Sequence, residues 1–203
     1  LDEVIYLYHA NYFAEGKLTV AAPPVAAAFS FYMIPYQSNR WYSIFPPGWP
    51  AILSLGVLLG APWLVNPLLA GANVLLAFLL LREIYDPRSA RMAVFLLCSS
   101  PWFVFMAMSF MAHNFTLTCA LVASLAVARA RNTGHTKWAW LGGCAAGMVG
   151  LIRPLDGVVL AGLLALWGIG LGGRRLKISA LAAFALAVIG VNAVVLPYNT
   201  GLT

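Results

Sequence analysis

The chain has 203 residues, of which 62% are hydrophobic and only 9% charged. An ordinary soluble domain is about 45–50% apolar and about 25% charged, which excludes a water-soluble enzyme, a disordered tail and a secreted disulfide scaffold and leaves an all-α polytopic membrane protein. The net charge of +6, from 12 Lys and Arg against 6 Asp and Glu, reads as membrane topology rather than nucleic-acid binding, because most basic residues sit in short gaps between apolar stretches.

The chain begins Leu-Asp-Glu without a Met and ends just after an apolar run. The expectation is a piece of a longer protein, lacking at least one segment before residue 1 and more beyond residue 203. Residues 1–63 are aromatic, proline-rich and broken by polar groups, so they form one unit, an outer loop. Residues 64–203 form a second, the helix bundle. Within the loop, residues 2–15 predict a helix closed by Gly16, which takes the left-handed C-terminal position cheaply. Asp2 and Glu3 fall in its first turn, where the helix dipole favours negative charge. Helical spacing puts Asp2, Tyr6 and His9 on one face. Pro23, Pro24 and Pro35 break residues 19–39 into extended or loop segments. The run from Arg40 to Pro50 holds Phe45-Pro-Pro-Gly-Trp49 and leads into a short apolar stretch ending at Gly60. That stretch is too short to cross a bilayer, and Trp49 and Trp63 near its ends suit a helix lying along the membrane surface.

Six candidate spans follow, at about 64–82, 89–108, 113–128, 138–152, 155–172 and 178–197, some of them shorter than the ~20 residues that the hydrocarbon core requires. Arg82, Arg88 and Arg91 occupy the first gap, Arg129, Arg131 and Lys137 the third, and Arg174, Arg175 and Lys177 the fifth. These nine of the twelve basic residues are cytoplasmic by the positive-inside rule. Residues 1–63, the turn at His113, the turn at 153–156 and the C-terminal end then share the opposite face. Gly142, Gly143, Gly147 and Gly150 in the fourth span suit close helix packing. Cys98, Cys119 and Cys144 lie in apolar stretches and read as small buried hydrophobes rather than disulfide or metal partners.

The outer face gathers Asp2, Glu3, His9, Lys17, Arg40, His113, Asn114, Arg153 and Asp156. Ionisable groups at membrane depth are costly, so function is their default reading. A carboxylate pair such as Asp2 and Glu3 can take a proton from an acceptor or hold a divalent metal ion; it can also merely cap a solvated helix. Arg153 can fork onto phosphate oxygens or simply pair with Asp156. Arg40, flanked by Trp41 and Tyr42, is an interface anchor or a second phosphate contact. His113 is a site residue or half of a hydrogen-bonded pair with Asn114. His135 falls on the basic side.

The order of these elements resembles a known family. Asp2-Glu3 opens an outer loop; Phe45-Pro-Pro-Gly-Trp-Pro50 and a short surface helix follow. Ser109-Phe-Met-Ala-His-Asn114 marks the next outer turn, and Gly150-Leu-Ile-Arg-Pro-Leu155 ends a later span. The chain is similar to the membrane glycosyltransferases of the C-type fold, in the family 39 or protein-mannosyltransferase-like group that includes aminoarabinose transferases of lipid A. The resemblance implies transfer of a sugar from a polyprenyl-phosphate donor to a lipid, glycan or protein acceptor, in the inner membrane with the site facing outward. It implies a catalytic role for Asp2 and Glu3 and puts Tyr42, Pro46, Pro47 and Gly48 near the cavity. Some relatives hold the carrier phosphate with a Lys beside the Pro-Pro element. Phe45 stands there in this chain, which leaves Arg40 or Arg153 to supply the contact.

Chemistry agrees with such a site. Cleaving a glycosyl phosphate builds negative charge on the leaving phosphate, which a fixed cation stabilises. One carboxylate on the attacking side predicts direct displacement with inversion. Two other classes compete: a lipid-linked sugar flippase, which would need polar groups near midmembrane, and a non-catalytic membrane scaffold.

Overall fold

The computed structural model describes residues 1–25, 32–37, 40–171 and 173–202. Helix α1 spans Asp2–Ala14, close to the predicted 2–15. Its end is fixed by Gly16 at φ +72°, a conformation in which a side chain would be strained. The Gly16 and Lys17 amides donate back to the Phe13 and Tyr12 carbonyls at 2.9 Å, satisfying groups the helix leaves open. The proline-broken segment contributes three two-residue strands, β1 (Val20–Ala21), β2 (Tyr36–Gln37) and β3 (Arg40–Trp41). They form an antiparallel sheet in the order β1-β3-β2.

Helix α2, Gly48–Leu58, is the predicted short helix. It buries Trp49 and Leu53 and exposes Leu55, Leu58 and Leu59. Gly48 lies flush on the helix that ends at Ile152, where an added Cβ would meet the Leu151 carbonyl at 2.8 Å. After a 3-10 turn at Pro62–Leu64 come α3 (Val65–Ile84), α4 (Pro87–Cys98), α5 (Pro101–Ala107) and α6 (His113–Thr133). The bundle closes with α7 (Thr136–Ile152), α8 (Pro154–Ile169), α9 (Ile178–Asn192) and α10 (Val195–Leu202).

The membrane count differs from the six predicted spans. Among the described residues, two helices are long and apolar enough to cross, Pro62–Ile84 and Ile178–Leu202. The predicted span 89–108 is two helices, α4 and α5, bent by 66°. Pro101 cannot continue a backbone ladder, and the Ser100 hydroxyl accepts the Phe103 amide to start a new helix. Helices α7 and α8 have 17 and 16 residues, short of a full crossing. Helix α6 has 21 residues but carries His113 and Asn114 at one end and Arg129 and Arg131 at the other. The molecule is thus a predominantly helical membrane protein with one small sheet, in which two helices, or three if the bent pair counts as one, meet the length and hydropathy of a crossing among the described residues.

Two cores hold it together. One joins α6, α7, α8 and α9 around Ala123, Val127, Ala146, Leu164 and Phe184. Its closest seam is the predicted glycine face of α7: a Cβ on Gly143 would collide with the Phe184 carbonyl, and one on Gly147 would lie 2.8 Å from Val191. The other core, of Ala10, Trp49, Leu53, Phe115, Val149 and Ile152, locks α1 and α2 onto α6 and α7 directly beneath the polar face. All three cysteines are free; Cys119 is buried and Cys144 half-buried as predicted, whereas Cys98 is exposed on the outside of α4.

The basic gaps meet at one end. Asn132 donates to Glu83 at 2.8 Å, and the Arg131 Nε donates to the Arg174 carbonyl at 2.8 Å, tying the ends of α3 and α6 to the loop before α9.

Candidate active site

At the opposite end, Asp2 of α1, Tyr6, Phe45, Pro46, His113, Arg153 and Asp156 line one cavity of about 390 Å³. Each wall has a local cause. Asp2 is there because α1 starts at residue 2 and packs its Ala10 side on α2. Phe45 stacks on Tyr6 with ring centroids 4.4 Å apart, which closes one side. Arg153 is the extended residue between α7 and α8, at φ −142° and ψ 95°; Pro154 fixes the break by opening α8. Asp156 falls in the first turn of α8, where the helix dipole favours its charge. Arg153 Nε and Asp156 Oδ2 are 3.1 Å apart, so the predicted pair forms.

His113 opens α6 and lies against Trp102, with ring centroids 6.2 Å apart. The turn that delivers it is clamped from two sides. Asn66 donates to the carbonyls of Ser109 and Met111 at 2.5 and 2.9 Å, and the Trp49 indole donates to Phe110 at 2.8 Å. Asn73 then grips the first turn of α6, donating to the Asn114 carbonyl at 2.9 Å and accepting from Thr118 at 2.7 Å. Asn66 and Asn73 are 3% and 0% exposed, and the sequence reading passed over both. Their signal was there: two amides inside an apolar span are costly unless they bond something specific.

Two of the cavity's charged residues, Asp2 and Arg153, act on Tyr6. Burial raises its phenol above the ordinary value first, Asp2 raises it further, and Arg153 lowers it. The ring stays a neutral hydrogen-bonding group beside the two.

The predicted set divides. Asp2, His113 and Arg153 come together from the start, middle and later part of the chain. Glu3, next in sequence, does not line the cavity. Arg40 is exposed on β3, paired across the sheet with Ala21 and Gln37, and Tyr42 follows it; neither lines the cavity. The backbone of Arg40 and Trp41 is committed to the sheet, and Tyr42 follows directly after it. His9 is fully buried between α1 and α10, with its Nε2 3.3 Å from the Tyr198 hydroxyl. Lys17 and Glu15 form an exposed pair at 2.6 Å.

Among the described residues no group of three or more His, Cys, Asp or Glu converges. A divalent ion at Asp2 and Glu3 would therefore take its remaining oxygens from substrate phosphate or water, a mode that suits magnesium.

A second hollow, of about 540 Å³, adjoins the cavity and shares His113 and Arg153 with it. Its other walls are mainly apolar: Leu97, Trp102, Phe103, Met106, Leu117 and Ala120. The bend between α4 and α5 opens it.

No curated protein and no solved structure matches the chain. A family model, that of dolichyl-phosphate-mannose-protein mannosyltransferases, matches residues 45–198, so it takes in Phe45, His113 and Arg153 but not Asp2, Glu3, Arg40 or Tyr42. With that match over most of its length, the chain belongs to the dolichyl-phosphate-mannose-protein mannosyltransferase family, membrane glycosyltransferases that draw on polyprenyl-phosphate sugar donors.

Proposed function

We propose that the chain transfers a sugar from a polyprenyl-phosphate donor to a lipid, glycan or protein acceptor at the extracytoplasmic face of the inner membrane. The observation that supports it is one cavity holding a carboxylate, Asp2, and a guanidinium, Arg153, which opens through His113 and Arg153 into an apolar hollow. A polyprenyl phosphate needs both environments: an anion site for its head and an apolar wall for its chain.

In this reading the isoprenoid chain lies in the hollow beside Trp102 and Met106. Its phosphate displaces Asp156 as the partner of Arg153, with His113 beside it. Asp2 takes the proton of the acceptor hydroxyl or amine as the acceptor heteroatom bonds to the anomeric carbon. The bond from that carbon to the phosphate oxygen breaks, and the electron pair leaves with the polyprenyl phosphate. The leaving phosphate already carries a charge, so it needs a cation rather than an acid. Arg153 supplies one. A single attacking-side carboxylate gives inversion at the anomeric carbon. Glu3, one residue from Asp2, orients it or shares a divalent ion with it.

The test uses the full-length protein in liposomes with radiolabelled polyprenyl-phosphate sugars. Expected is label moving to an acceptor, with release of polyprenyl phosphate and inverted product. Protein-dependent movement of intact lipid without cleavage identifies a flippase instead, and no reaction with any donor returns the scaffold reading.

A further inference from the structure

The basic end of the bundle carries a cavity of its own, separate from the candidate active site. It measures about 240 Å³ and is walled by Glu83 of α3, Arg131 and Asn132 of α6, Trp167 of α8 and Arg174 of the following loop. Its polar groups are arranged rather than scattered. Arg131 lies over the Trp167 ring, its guanidinium carbon 4.4 Å from the ring centroid, and donates its Nε to the Arg174 carbonyl at 2.8 Å. Asn132 donates to Glu83 Oε1 at 2.8 Å and so fixes the carboxylate. One small cavity therefore gathers two arginines and one oriented carboxylate. Ile84 and Ala128 continue its wall toward the apolar surface of the bundle. A tryptophan at the level of helix ends marks the depth of lipid headgroups.

We propose that this cavity binds a phosphoethanolamine group, the headgroup of an aminophospholipid of the basic-side leaflet. Its phosphate sits on Arg131 and Arg174, where planar guanidinium groups fork onto phosphate oxygens. Its primary ammonium, two carbons away, donates to Glu83. The acyl chains leave over Ile84 and Ala128. Basic pockets between helices at this membrane level suit lipid phosphates in general; Glu83 adds a demand for an N–H donor, which a choline headgroup does not meet.

The experiment counts bound lipids by native mass spectrometry on the full-length protein in detergent, titrated with phosphatidylethanolamine or phosphatidylcholine. Phosphatidylethanolamine is expected to bind about tenfold more tightly, the value of one charge-assisted hydrogen bond. Arg174→Gln leaves the carbonyl that accepts from Arg131 in place and should weaken phosphatidylethanolamine binding by about tenfold, while Arg174→Lys should lose less. Glu83→Gln still accepts from Asn132 and should erase the preference over phosphatidylcholine. Unfolding midpoints of lipid-free variants, unchanged from the parent, tie these losses to the site. Equal binding of the two lipids, or full binding by Arg174→Gln, overturns the proposal. Soluble phosphoethanolamine as a third probe should fail to displace the lipid; displacement at equal concentration would assign the site to a free phosphoamine and overturn the lipid source.

Discussion

In the proposed reaction Arg153 has two partners competing for it. Asp156 holds it at 3.1 Å, but the two side chains are 50% and 43% exposed, so the pair contributes at most about 1 kcal/mol. A phosphate entering the partly apolar cavity offers more oxygens to the same guanidinium in a less solvated place. Arg153→Lys keeps the charge and loses the planar fork, and should raise the apparent constant for the lipid donor with the fold intact. The decisive variant is Arg153→Ala combined with Asp156→Ala. If Asp156 were the only partner, removing both would leave donor kinetics as in the parent; expected instead is a raised donor constant in the double variant. Asp2 is tested differently. Asp2→Asn preserves size and removes the base, and turnover should fall by about 10²–10⁴-fold at saturating donor. Parental turnover in purified full-length Asp2→Asn would end its role as base. Glu3→Gln should cost less, because Glu3 lies outside the cavity lining. In the proposed site Phe45 offers no cation: its ring is stacked on Tyr6, which leaves Arg153 as the guanidinium of the cavity.

Helix ends and helix faces were legible to different degrees. The glycine spacing of α7 foretold a close partner, and α9 fills that place with the Phe184 carbonyl against Gly143. Gly143→Ala should therefore force the two helices apart and cost about 1–3 kcal/mol, seen as a lower unfolding midpoint. Gly162→Ala on α8 is the control: nothing lies within 4 Å of its added Cβ, and the change should be neutral or slightly stabilising through helix propensity. The break between α4 and α5 was not legible from hydropathy, since Ser99, Ser100 and Pro101 barely lower the average of a 20-residue window; the local chemistry of a capping serine before a proline decides it. The role of α10 was equally hidden, because it depends on a contact 189 residues apart in sequence, between Tyr198 and His9. Burial pushes His9 down to about 3. Its folded value lies below the ordinary 6.5, so the stability it allows is full above pH 6.5 and falls as the pH drops toward 3. The unfolding midpoint should decrease between pH 7 and pH 5. His9→Gln, which still bonds the Tyr198 hydroxyl but does not titrate, should show a shallower decrease over that interval.

At the scale of the molecule, the charge pattern was the most informative feature of the sequence. Nine basic residues in alternate gaps require those gaps to meet at one end, and the bonds from Asn132 to Glu83 and from Arg131 to Arg174 join all three. Asp2, His113 and Arg153 meet at the other end, which the same alternation requires. What charge alone does not give is helix length: α7 and α8, at 17 and 16 residues, are short for a straight crossing of the hydrocarbon core. Orientation is the remaining variable, and it carries the proposed reaction with it. If the basic end faces the cytoplasm, an impermeant maleimide added to intact cells should miss Ser89→Cys and Thr136→Cys, which lie at the starts of α4 and α7. It should label Lys17→Cys, whose parent side chain is 58% exposed just after α1. The background must first be cleared by replacing Cys98, the exposed native thiol, with Ser. Lysed cells should label all three introduced cysteines, showing that protection came from the membrane and not from burial. Labelling of Ser89→Cys and Thr136→Cys in intact cells, with Lys17→Cys protected, would invert the protein. The cavity with Asp2 and Arg153 would then open to the cytoplasm, and an outward-facing transfer would have to be given up.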